Sequence, residues 1–280
     1  MNKELNLDKV KNFSNQLKKN IIDVAYLGGG ERSHIGGALS ASDIVSVLYS
    51  HVMNINRDNP LDQNRDRFIL SKGHACLVLY SALYQLNFLT KDQFFSFESE
   101  NSILLGHPVI NKEVGIEFSN GSLGMGLSLG VGVSLAARFK KKKFYTFVLI
   151  GDGECNEGSI WEAAMSASKY KLNNLVAIVD KNGLQQTGST KDIMDTEDLT
   201  AKWNSFGWKA EEVDGHDLDQ LINSLDKNKI SKNDKPCVLI AETIKGKGVS
   251  FIENNNDWHH NLLTKNQYKS ALEELGFKYD

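Results

Sequence analysis

Three stretches constrain the fold of this chain more than anything else in it: FYTFVLI at 144–150, LVAIVD at 175–180 and CVLIAET at 237–243. Each is apolar almost throughout, without the in-and-out alternation of a strand that has one face in water. Strands of that kind belong to parallel sheets covered by helices on both faces. The intervening segments supply the helices. Leu5, Val10, Phe13, Leu17, Ile21, Val24 and Leu27 recur at three- and four-residue intervals and predict a helix over 5–27, closed by the glycines at 28–30. A second helix is predicted over 41–52, capped by Ser40 or Ser42 with Asp43 in its first turn. RFIL at 67–70 reads as a short strand leading through SKGHA into a helix along LVLYSALYQL. The series continues with a glycine-rich helix from about residue 122, strand 144–150, helix 157–170, strand 174–180, helix 196–206, strand 208–213, helix 217–226, strand 236–243 and a closing helix at 264–275. The fold class expected is α/β, a three-layer, doubly wound, mostly parallel sheet, and the whole of 1–280 is read as one domain.

Composition narrows the function classes. With 41% hydrophobic and 24% charged residues and a net charge of −3, the 280-residue chain has no bias toward polyanions, so nucleic acid is not an expected partner. No run of about 18 apolar residues suggests a membrane span, and the first 20 residues lack signal or transit character. Cys76, Cys155 and Cys237 are odd in number and far apart, which indicates neither a disulfide framework nor a zinc cluster and points to the cytoplasm. The lysines at 140–143 read as a solvated helix end.

Chemistry gathers at strand ends. GDGECNEG at 151–158 follows an apolar strand. Asp and Gly there make an ordinary turn or helix cap, but Asn182, 30 residues beyond Asp152, follows the next strand. One crossover fits that spacing, so the two side chains would share a crevice at the carboxyl edge of the sheet. An Asp oxygen, an Asn oxygen and a backbone carbonyl shortly after it are hard ligands suited to magnesium holding a diphosphate. Asn173 and Asn174 form a more conspicuous pair, but they precede their strand and sit at the wrong end. Neither a GxGxxG fingerprint nor a GxxxxGK[ST] loop occurs. Of the seven histidines, His34, His74, His107 and His259 lie in the turn-like stretches SHIGG, SKGHA, LLGHPV and DWHHN, where imidazoles can donate to hydroxyls and move protons. His51 and His216 are assigned structural roles.

These residues resemble the N-terminal, diphosphate-binding part of the transketolase family. GDGECNEGSIWEA with LVAIVDKNGLQQTG is similar to that family's thiamine diphosphate motif, and DRFILSKGHA, LLGHPV, GIEFSNGSLGMGL and ETIKGKGV follow in the family's order, covering about residues 10–275. The resemblance implies the thiamine-diphosphate-binding fold. It implies that Asp152, Asn182 and the carbonyl of Leu184 hold magnesium (or calcium or manganese) and that Gly153 lies near the diphosphate. His74, Gly121, Ser122 and Leu123 would contact thiamine diphosphate; His34, His107 and His259 would line the substrate channel, with His34 and His259 handling protons and His259 also meeting the cofactor. Glu157 and Glu162 would lie at a subunit contact, unless Glu157 is simply helix N-terminal charge. Glu154 receives no assignment. SHIGG replaces the GHPGG of many relatives, and His260 stands where they have glycine, which would alter the channel wall. Family enzymes also need a second α/β domain carrying the glutamate that activates the aminopyrimidine, and a C-terminal domain. The reading is therefore the N-terminal subunit of a split transketolase, working with a C-terminal chain that carries the pyrimidine-binding domain, two of each, on sugars or sugar phosphates. The alternatives are a subunit of another thiamine diphosphate enzyme, of the 2-oxo-acid dehydrogenase or deoxyxylulose-phosphate-synthase type, or a non-catalytic binding protein of the same fold.

Overall fold

A computed structural model of the chain describes residues 7–29, 33–230 and 234–279; Leu5 and Gly30 of the first predicted helix and its closing turn lie outside them. Five strands pair in parallel in the order β1-β2-β3-β5-β4, where β1 is Arg67–Leu70, β2 Thr146–Gly151, β3 Leu175–Lys181, β4 Lys209–Asp214 and β5 Cys237–Glu242. The side chains of the central strands divide between two cores. Phe147, Leu149, Val176, Ile178 and Leu239 face a core shared with α1 (Leu7–Leu27), α3 (Ser42–Val47), α4 (Cys76–Gln85), α10 (Leu218–Ile230) and α11 (Lys265–Glu274). Val148, Ile150, Ala177, Val179 and Ile240 face a second core with α6 (Met125–Phe139), α7 (Gly158–Lys169) and α9 (Leu199–Ser205). The double burial explains the apolar runs, and the three layers are those expected.

The glycine-rich α6 is helical because it must come close to the sheet. A Cβ on Gly130 would sit 2.7 Å from Val148 Cγ2, and one on Gly126 2.5 Å from Ser71 Cβ. Close packing offsets the roughly 1 kcal/mol that each glycine costs a helix relative to alanine. It begins at Met125 rather than 122, since residues 121–124 form a turn ending at Gly124 with φ +82°.

Two local expectations are corrected. α2 (Ile35–Ser40) precedes α3 and has every residue buried, so no polar face gave it a period to read, and two glycines lowered its propensity. The 41–52 helix is α3 followed by a π-helical turn, Leu48–Val52. Neither predicted serine caps it: Ser42 Oγ donates to Leu39 O at 2.7 Å, and Ser40 Oγ donates to Asp180 Oδ2 at 2.5 Å. Two smaller helices, α5 (Lys91–Phe95) and α8 (Thr190–Met194), lie in the connections. The two histidines read as structural are so used. His51 Nε2 meets Asp226 Oδ2 at 2.9 Å, and His216 Nδ1 meets Asp43 Oδ2 at 2.8 Å. Lysines 140–143 follow the end of α6 and are exposed, apart from the partly covered Lys142.

Candidate functional site

β2 and β3 are neighbours, with Gly151 paired to Asp180, so the loops that follow them meet at the carboxyl edge. Asp152 is 3% exposed and works as a clamp between them: Oδ1 accepts from Gly153 N at 2.8 Å and Oδ2 from Gly183 N at 2.7 Å. The turn reading and the crevice reading are both right, since the same carboxylate caps the 3₁₀ turn Gly153–Asn156. Burial, then the nearby Asp180 charge, pushes its pKa up to about 6, against the pull of its two backbone donors and of Lys72. Asn182 Nδ2 donates to Ser40 Oγ at 3.3 Å, which fixes the amide with Oδ1 on the other side, accepting from Leu184 N at 3.1 Å. Gly183, at φ +73°, turns the chain between Asn182 and Leu184. All three predicted oxygen donors line one cavity of about 480 Å³, together with Gly153, Gly121, Leu123, His34, His74, His107 and His259. Ser122 lies exposed between two of these residues. Asn174 accepts from Thr146 N at 2.9 Å at the opposite end of the sheet, as its position in the sequence requires.

The cavity also holds a charged layer that sequence reasoning missed. Lys72 and Asp180, 3% and 0% exposed, form a buried ion pair, and Asp180 also accepts from Ser40 and Thr243 hydroxyls. Burial opposes ionisation of Asp180, but Lys72 and these hydroxyls hold its carboxyl below the usual range. Lys245 reaches the same cavity from the loop after β5 and is 1% exposed. Burial, helped by the Lys72 charge, lowers its pKa to about 8. A signal existed for Asp180: it stands at the carboxyl end of β3, two residues before Asn182. Lys72 and Lys245 sat inside SKGHA and ETIKGKGV, where histidine and glycine drew attention first.

The histidines converge. The His34 ring lies 5.2 Å from His74, 5.2 Å from His259, 6.1 Å from His107 and 4.5 Å from His260. Burial, with the neighbouring imidazoles adding, lowers His34 to about 3; burial and Lys72 lower His74 to about 2; burial and Lys245 lower His259 to about 4. These three rings are neutral near pH 7, so each acts through a tautomer and not through a net charge. His260, exposed, adds a fifth imidazole beside His34.

Glu154, unassigned from sequence, ties the site together. It is 2% exposed; Oε1 accepts from Ser71 Oγ and from Gly124 N at 2.8 Å, and Oε2 from Gly151 N at 3.0 Å. It thereby joins the ends of β1 and β2 to the 121–124 turn. Alanine at 154 strands two backbone donors and a hydroxyl, and should lower stability by about 3 kcal/mol in urea titration; a loss under about 1 kcal/mol would show that water replaces it. Glu157 lines the cavity rim and is exposed, and its side chain makes no cap on α7; Glu162 is exposed on α7.

Comparison with known proteins places this arrangement. Residues 18–280 match the family described as transketolase, thiamine diphosphate binding domain. The chain is 41% identical over 262 residues to a protein of Phocaeicola vulgatus named as one subunit of an apulose-4-phosphate transketolase, covering 94% of this chain and 92% of that one. It is 37% identical over 258 residues to a 6-deoxy-6-sulfo-D-fructose transketolase subunit from a Clostridium species, with 92% of each covered. Among solved structures, a transketolase of Pichia stipitis superposes with a TM-score of 0.88 at 30% identity, and that of Campylobacter jejuni with 0.86 at 30%. Each covers 97% of this chain, which spans only 41% and 43% of theirs. With its motifs gathered at one cavity and its whole sheet shared with these enzymes, the chain belongs to the transketolase family and carries that family's thiamine diphosphate binding domain.

Proposed function

We propose that this chain is the N-terminal subunit of a two-chain transketolase, which moves a two-carbon ketol unit from a ketose to an aldose once a C-terminal subunit joins it. The observation that carries the proposal is the single cavity in which the Asp152–Asn182 edge, the two buried lysines and the histidine cluster face one another. Its residues fit the cofactor. The amide nitrogen of Gln185 is buried with no partner among the described residues, and its side chain packs where any Cβ on residue 153 would lie. A donor left bare beside bare backbone suits a diphosphate oxygen. Asp152, Asn182 and the Leu184 carbonyl would hold magnesium, or calcium or manganese in its place; such a set has one carboxylate, and no group of three or more metal-binding side chains occurs among the described residues. Lys72 and Lys245 would neutralise phosphate charge, and His74 with Gly121, Ser122 and Leu123 would border the thiazolium side.

When bound, thiamine diphosphate supplies the carbon centre that accepts the two-carbon unit and the electron sink that makes cleavage of the sugar bond feasible. The chain's own part is to orient and to handle protons. His34, His107 and His259 would bind sugar hydroxyls, with His34 and His259 handling protons there: a neutral imidazole can accept a hydroxyl proton on its bare nitrogen or donate a hydrogen bond from the other. Ile193 and Met194 line the cavity yet are 44% and 60% exposed, which supports a second chain covering the mouth, and Glu157 and Glu162 would lie at that contact. The names of two relatives as transketolase subunits support the same division. The assembly proposed contains two of each chain, with 1–280 forming one domain. A cytoplasmic setting is proposed from the cysteines, Cys76, Cys155 and Cys237, which are odd in number, far apart in the sequence and buried. The test is substrate profiling of the two chains together. Two-carbon transfer between sugars or sugar phosphates is expected; turnover confined to 2-oxo acids would move the chain to another thiamine diphosphate enzyme class.

A further inference from the structure

An ammonium has three donors and no acceptor. Lys245 directs one of its donors to Asn256 Oδ1 at 3.0 Å and another to His259 Nδ1 at 3.1 Å. The Asn256 amide is itself oriented, because its Nδ2 donates to Gln186 O at 2.9 Å and so turns Oδ1 toward the lysine. His259 Nδ1 must then present a lone pair. Its ring is neutral near pH 7, with Lys245, Lys72 and His260 as the cations or potential cations that face it and His34 and His74 at 5.2 and 5.3 Å. Its one proton is left on Nε2.

We propose that Lys245 is a positioning residue that fixes the tautomer of His259, holding the ring proton on Nε2 so that His259 meets the sugar as a hydrogen-bond donor and not as a base. The consequence for the sugar rests on the function proposed above; the tautomer itself does not. Proton acceptance from the sugar then falls to the other imidazoles of the cluster.

The lysine is built in firmly enough for this role. Its carbonyl accepts from Asn254 N at 2.9 Å, and the next residue, Gly246, donates to Gly36 O at 3.0 Å. Gly36 leaves the room its stem needs, since a Cβ there would lie 3.2 Å from Lys245 Cγ and 2.9 Å from Trp258 O. On the other side Ile244 N donates to His216 Nε2 at 2.9 Å, while His216 Nδ1 lies 2.8 Å from Asp43 Oδ2. A backbone N–H can only donate, so His216 carries its proton on Nδ1. The two histidines flanking 244–245 are thus held in opposite tautomers, one by a backbone donor and one by a cation.

Long-range proton–nitrogen correlation spectra of the chain carrying isotope-labelled histidine read both directly. Near neutral pH, His259, assigned by its loss in His259→Gln, should show a protonated Nε2 and a bare Nδ1, and His216 the reverse. Lys245→Met should turn His259 into a mixture of tautomers while His216 keeps its own. A wild-type His259 protonated on Nδ1 overturns the proposal, as does a Lys245→Met spectrum in which His259 keeps a pure Nε2–H pattern. If Lys245→Met does not fold, the wild-type spectrum still decides. A two-chain complex inactive on every sugar would remove the proposed function and leave the measured tautomer standing.

Discussion

Purified chain supplied with magnesium and thiamine diphosphate should transfer ketol units at least about 1,000-fold more slowly than the same chain mixed with its C-terminal partner, because an acid that takes part in proton transfer contributes roughly 100- to 10,000-fold. Among the described residues, the acids lining the cavity are Asp152, Glu154 and Glu157. Asp152 is engaged by two backbone donors, and Glu154 by three donors in all. Glu157 sits at the rim, exposed. Among the described residues no carboxyl inside the cavity is left to engage an aminopyrimidine, which in the family is the task of a glutamate on a second α/β domain. The exposed Ile193 and Met194 should also become protected from hydrogen exchange when the partner binds. A lone chain within tenfold of the mixture in rate would defeat the two-chain reading, whatever its cofactor affinity.

How much of this was legible depended on whether a feature had a local cause. The central strands were, because burial on both faces writes itself into the residues: Val148 and Ile150 face one core, Phe147 and Leu149 the other, and all four had to be apolar. The Asp152–Asn182 edge was legible because a crossover has a characteristic length. α2 was not, since a helix buried on every side has no period. Nor was the Lys72–Asp180 pair, whose members are 108 residues apart and meet only because β1, β2 and β3 are neighbours. Glu154 shows the limit best. An acid between Gly153 and Cys155 looks like one more turn residue, and its task follows only from donors brought in by Ser71 and Gly124.

Asp152→Ala should remove the magnesium dependence of thiamine diphosphate binding, lowering affinity at saturating magnesium by at least about 100-fold, since even residues one step behind a metal ligand are worth roughly 10- to 100-fold. Isothermal titration of the chain, with and without magnesium, measures this. The sign of the effect without metal separates a ligand from a mere loop clamp. A buried carboxylate facing the same cavity as a diphosphate repels it unless a cation stands between them. In metal-free buffer the alanine variant should therefore bind the cofactor as well as the native chain or slightly better, whereas loss of a clamp alone would weaken binding in both conditions. Some loosening is expected, because Gly153 and Gly183 lose their acceptor. Asn182→Ala provides the comparison: Asn182 is neutral, so its removal should weaken magnesium-dependent binding with no gain in metal-free buffer. A variant at 152 that still shows the native rise in affinity with magnesium would place the metal elsewhere and leave Asp152 as the strand-end clamp that its two backbone bonds already make it.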